Sequence, residues 1–137
     1  HPASDDVQLG CQFLDSSGTA ITDADAYGYY NDYDGSGASS NGANAMPFTS
    51  TTVGNASYEG VRGWFNLLGR NYAVSTDTVP PTITGIAHAI YSNGVWSGGA
   101  VVGGLTVEQI QTIRGFRLYS GSGNIERGKV YLFGVRS

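Results

Sequence analysis

A chain of 137 residues is long enough for one hydrophobic core and short for two, so residues 1–137 are expected to form a single domain, with 1–6 as a flexible lead-in. A net charge of −4 with only seven basic residues argues against nucleic acid, which is held by clustered Lys and Arg. No apolar run approaches the ~20 residues of a membrane helix, so no membrane insertion is expected, and the single Cys11 excludes an internal disulfide and any multi-cysteine metal site.

The charged fraction of 13% is about half the usual ~25%. Gly, Ser, Thr and Asn, together with nine tyrosines, must therefore supply the surface. Such an exterior is neutral, rich in hydrogen-bonding groups and marked by flat aromatic faces, which suits uncharged polar partners better than phosphates.

Short β-branched and aromatic segments separated by Gly, Ser, Asn and Asp clusters predict strands throughout. The first spans Val7 to Leu14, where Val7, Leu9, Cys11 and Phe13 alternate with more polar neighbours; Cys11 reads as a small buried hydrophobe. Asp15 to Gly18 turns the chain. A second strand is expected over Ala26 to Tyr33, then a long surface loop over the small, polar stretch Asp34 to Asn44. Strand propensity resumes at Met46 to Val53 and again at Tyr58 to Leu68, with Trp64 read as core.

Pro80 and Pro81 mark a strand entrance or edge. Ile83 to Tyr91 follows, with Ile83, Gly85, Ala87, Ala89 and Tyr91 on one side. Ser92-Asn93-Gly94 signals a hairpin whose return strand is Val95 to Val102. After a small helical turn or loop near Val107 to Gln111, two further strands are predicted, Ile113 to Tyr119 and Lys129 to Val135, joined by a loop over Ser120 to Gly128. Half-buried sheets need facing partners, so the pattern predicts an all-β fold, an antiparallel two-sheet β-sandwich of jelly-roll type.

The stretch 113–135 resembles the C-terminal β-sandwich domains of tailed-bacteriophage tail fibres and related virion structural proteins. The matching pieces are Phe116-Arg-Leu-Tyr119, Gly123-Asn-Ile125, Gly128 and Tyr131-Leu-Phe-Gly-Val135; Tyr27 to Tyr33 and Trp64 fit more loosely. The resemblance implies a non-catalytic domain on the phage particle surface, commonly a homotrimer, that binds host surface glycan or lipopolysaccharide. It equally fits a purely structural role in capsid decoration or fibre trimerisation. The last predicted strand is apolar on both faces, Val130 and Leu132 against Tyr131 and Phe133. Such a strand is either central in a sandwich or pressed against a neighbouring subunit.

Among candidate sites, Tyr27-Gly-Tyr-Tyr-Asn-Asp-Tyr33 is the most concentrated, because aromatic faces stack on sugars while Asn and Asp accept hydroxyl hydrogens. Tyr27, Tyr29 and Tyr33 share one parity and Tyr30 the other. With Asp32, and with Trp96 beside the Asn93-Gly94 turn, they form the expected saccharide site, against the alternative that the aromatics simply pack. Asn31, Asp32, Asp34 and Ser36 place oxygens around Gly35, but the Glu and flanking helices of an EF-hand are missing. Asp32 and Asp34 are the calcium candidates, and no cofactor is expected. The carboxylates beyond residue 34 are Glu59, Asp77, Glu108 and Glu126, none in a plainly apolar setting, and no nucleophile elbow, phosphate loop or zinc motif occurs. No catalytic apparatus is expected; a polysaccharide-degrading domain is the less favoured alternative.

Overall fold

Alternating apolar side chains at Leu9, Cys11 and Phe13, and again at Ile83, Ala87 and Ala89, each need a layer to bury against. The computed structural model supplies it with two antiparallel sheets. It describes residues 2–3, 6–33, 36–49, 52–68, 80–91, 94–106 and 113–134, and the backbone alone for 33, 36–38, 41 and 68. The strands are β1 (Leu9–Leu14), β2 (Tyr27–Tyr33), β3 (Ser36–Ala43), β4 (Met46–Pro47), β5 (Gly60–Leu68), β6 (Thr82–Ile90), β7 (Trp96–Leu105) and β8 (Gly115–Ser120). One sheet has three strands in the order β4-β1-β8 and the other five in the order β3-β2-β7-β6-β5. Among the described residues there is no helix. The arrangement is all-β and compatible with a β-sandwich.

The core lies between the sheets. Phe13 of the smaller sheet stacks on Tyr27 of the larger one, with ring centroids 6.2 Å apart and planes within 9°. Cys11, Met46, Ile83, Ala87, Val101 and Leu105 complete this layer. Gln12 is buried on the other side of β1, and its amide is engaged at both ends: Nε2 donates to Asn44 O at 2.8 Å, and Oε1 accepts from Arg117 Nε and Nη2 at 2.8 and 2.6 Å.

Three expectations about strands need correction. The stretch expected as a loop from Asp34 to Asn44 is largely strand: Ser36 to Ala43 form β3, which pairs with β2 from Tyr33↔Ser36 to Tyr27↔Ala43. Small side chains carry no hydrophobic alternation, yet their backbone groups complete an edge ladder as well as any. At Met46 to Val53 the strand is only two residues long, and Val53 instead forms a lone bridge to Val7. The third correction concerns the C-terminus. Residues 129–134 form no strand and lie exposed, and no hairpin returns along β8. Gly121 N donates to Gln8 O at 3.0 Å, Ala3 N donates to Asn124 O at 2.7 Å, and Ile125 bridges Pro2. After the bend at 121–123 the chain thus meets the N-terminal residues, and Pro2 and Ala3 are tied rather than free. The helical turn expected near 107–111 lies outside the described residues.

Candidate functional site

The five-stranded sheet has one face toward the core and one toward solvent, and register assigns each side chain. Tyr27, Tyr29 and Asn31 of β2 share the inward parity with Val101, Leu105, Ile83, Ala87 and Phe65. Tyr27 is fully buried; its hydroxyl accepts from Phe13 N at 2.7 Å and donates to Ile21 O at 3.1 Å. That places it in the core, out of reach of any ligand. Burial also pushes its phenol well above the usual tyrosine range.

Tyr29 is half-buried at the rim and lines a cleft of about 120 Å³ with Gln8, Asn44, Pro47 and Tyr119. This is below the ~300 Å³ at which small-molecule pockets begin. The side chain of Tyr33 lies outside the described residues, as does Asp34. Asn31 turns inward and is buried, its Nδ2 donating to Pro47 O at 3.0 Å, whereas Asp32 faces outward. Of the oxygens around Gly35, those of Asn31 and Asp32 thus fall on opposite faces of β2, while the calcium candidate Asp34 lies outside the described residues. Among the described residues, no group of three or more His, Cys, Asp or Glu side chains is placed to hold a metal.

The solvent face carries the other parity. One cross-strand row reads Tyr30, Val102, Thr84, Asn66; the next reads Asp32, Ala100, Ile86, Trp64. Further along lie His88 between Gly98 and Arg62, and then Trp96 beside Ile90. Trp64, expected in the core, is 59% exposed, Trp96 is 65% exposed and Tyr30 is 49% exposed. Val102 and Ile86 are also exposed between them.

Local sequence explains the shape. Strand β7 runs along the middle with Gly98 and Ala100 outward, low positions beside the larger Val102 that faces Tyr30 of β2. A Cβ on Gly98 would collide with the His88 ring, so glycine there lets His88 lie down against the sheet. From β2 to β5 is three strand spacings, about 14 Å, and from Trp96 to Val102 is about 20 Å along the strand. Asp32, Asn66, Thr84, His88 and Arg62 distribute donors and acceptors around the aromatic rings. Arg62 is the one Lys or Arg among the described side chains of this face.

Reactive groups elsewhere are occupied by structure. The Cys11 thiol is pushed up to about 12 by burial, which leaves no thiolate for nucleophilic chemistry. Buried Glu59 closes its own turn, with Oε2 accepting from Ala56 N at 2.7 Å. Two of the expected saccharide residues, Asp32 and Trp96, thus share the open face, while Tyr27 and Tyr29 do not. Tyr30 and Trp64 were missed. Parity in sequence separates Tyr30 from Tyr27 and Tyr29, and the register against Val101 and Leu105 of β7 then shows that Tyr30 is on the outward side. No family model matches the chain, and comparison with curated proteins and with solved structures also finds no match.

Proposed function

We propose that this domain binds a saccharide without altering it, on the solvent face of the five-stranded sheet. The carrying observation is the open platform of Tyr30, Trp64 and Trp96, spread around Gly98, Ala100, Val102 and Ile86 and interleaved with hydrogen-bonding groups. Exposed apolar patches of this extent mark interaction surfaces. Aromatic faces match the C–H faces of sugar rings, while Asn66, Thr84, His88 and Asp32 match their hydroxyls. A face about 14 by 20 Å suits an extended or branched glycan rather than a small metabolite.

The resemblance at the C-terminus supplies the proposed setting, a receptor-binding part of a phage appendage presented in several copies to host surface glycan or lipopolysaccharide, where modest single-site affinity is multiplied. The nested pairing of β1 with β8 and β2 with β7 favours a jelly-roll winding for the sandwich.

The test is a glycan array followed by calorimetry on the saccharides retained. Trp64→Ala and Tyr30→Ala should each weaken binding tenfold or more, about 1.4 kcal/mol, with unchanged melting because both side chains are exposed. Retention of no saccharide, or full affinity in Trp64→Ala, Tyr30→Ala and Trp96→Ala alike, would overturn the assignment.

A further inference from the structure

The C-terminal stretch of the described chain is strongly apolar and open to solvent. Val130, Tyr131, Leu132 and Phe133 follow one another at 61, 73, 74 and 85% exposure. In an extended chain Val130 and Leu132 face one way and Tyr131 and Phe133 the other, so both sides are apolar, as in strands covered on both faces. The route of the chain explains why, among the described residues, none of the same copy covers them. From Gly115 to Ile125 it runs against residues 14 to 2, first as β8 and then, around the bend at 121–123, through Gly121, Asn124 and Ile125. Residues 126–134 are carried beyond the end of that path.

The same chain holds the complementary feature. Among the described residues, strand β8 ends the order β4-β1-β8, hydrogen-bonded to β1 on one side only. The register Cys11↔Leu118 puts Leu118 on the core side, next to a cysteine that is fully buried, yet Leu118 is 40% exposed. An inward leucine is left open because, among the described residues, no strand lies beyond β8. Among the described residues, each copy therefore carries an apolar segment with the alternation of a strand but no sheet, and a sheet edge without a neighbour, the pair of features that strand addition joins. Charge agrees with a second copy as the partner. Residues 121–137 hold Arg127, Lys129 and Arg136 against Glu126, while residues 1–120 hold four basic and ten acidic side chains. A cationic, apolar arm thus meets an acidic body.

We infer that copies of this chain associate by strand exchange, the 129–134 segment of one copy adding to β8 of another and covering its Leu118. The inference stands apart from the saccharide reading, since the solvent face of the larger sheet takes no part in it. The full chain and its Leu132→Asp variant are compared by sedimentation equilibrium and amide hydrogen exchange. Wild type should sediment as a multiple of the 14.3 kDa chain with slow exchange at β8 amides. Leu132→Asp, whose altered side chain is exposed in the single copy, should sediment as one chain with unchanged melting of its sheets, and β8 exchange should accelerate at least tenfold. A wild-type chain that sediments alone, a Leu132→Asp variant that keeps the wild-type mass, or a loss of mass with β8 exchange unchanged would each overturn it.

Discussion

Tyr27 ties the two sheets and the turn before β2 together through one hydroxyl, which accepts from Phe13 N and donates to Ile21 O inside the core. Removing the oxygen while keeping the ring isolates that contribution. Tyr27→Phe leaves a buried amide and a buried carbonyl without their partner, so a loss of about 1–3 kcal/mol is expected in urea unfolding. A loss near zero would mean that water or a backbone shift replaces the hydroxyl. Asp15 acts at the surface instead. Its Oδ1 accepts from the Ser17 hydroxyl at 2.6 Å and from the backbone N–H groups of Ser17 and Thr19. The Ser17 hydroxyl first, then those amides, hold the carboxyl below the usual range. A carboxyl lowered in the folded state stabilises above its unfolded value, and that contribution disappears as acid protonates the folded form. Melting temperature measured downwards from about pH 5 should therefore fall less steeply in Asp15→Asn than in wild type. Parallel curves would show that the turn gains nothing from the ionised form.

At the scale of strands, close approach between β1 and β4 depends on Gly10, which pairs with Pro47. A Cβ there would overlap the Met46 carbonyl oxygen and come within 2.8 Å of Pro47 Cα, and backbone atoms cannot swing aside. Gly10→Ala should lower stability by about 1–3 kcal/mol through overpacking, read as a lower urea midpoint at constant slope. An unchanged midpoint would mean that the strands separate freely. Strands whose side chains alternate were legible in sequence: β1, β2, β5, β6, β7 and β8 all fall within or close to their predicted spans. Strand β3 was not, because Ser36 to Ala43 offers no apolar period, although Asp34-Gly35 between two strands is a recognised hairpin dipeptide. The 129–134 segment misled in the opposite direction, since its alternation is that of a strand but no partner for it lies among the described residues. For the site, periodicity separated Tyr30 from Tyr27 and Tyr29 but could not say which side met water; that depends on where β1 lies, a contact between residues far apart in sequence. The same limit put Trp64 in the core, because exposure of a tryptophan is decided by what covers its sheet rather than by its neighbours in the chain.

For the molecule as a whole, pairing is nested. The first strand bonds the last, β1 with β8, and β2 bonds β7, so the larger sheet closes only once Leu105 is present and the smaller one only once Ser120 is. Without β8, β1 retains only the two-residue β4 as a ladder partner, and Phe13 loses the facing Phe116. A chain ended at Arg114 should therefore show no cooperative melting by circular dichroism and calorimetry. A chain ended at Gly128 keeps β8 and its continuation to Ile125 beside Pro2, so it should melt in one transition at the temperature of a single full-length copy. Cooperative melting of the Arg114-ended chain would show that the five-stranded sheet folds alone, and the two sheets would then be separable units rather than one core. The pair of truncations also divides the last quarter of the sequence in two, with residues 115–125 completing the fold and residues 129–134 dispensable to it.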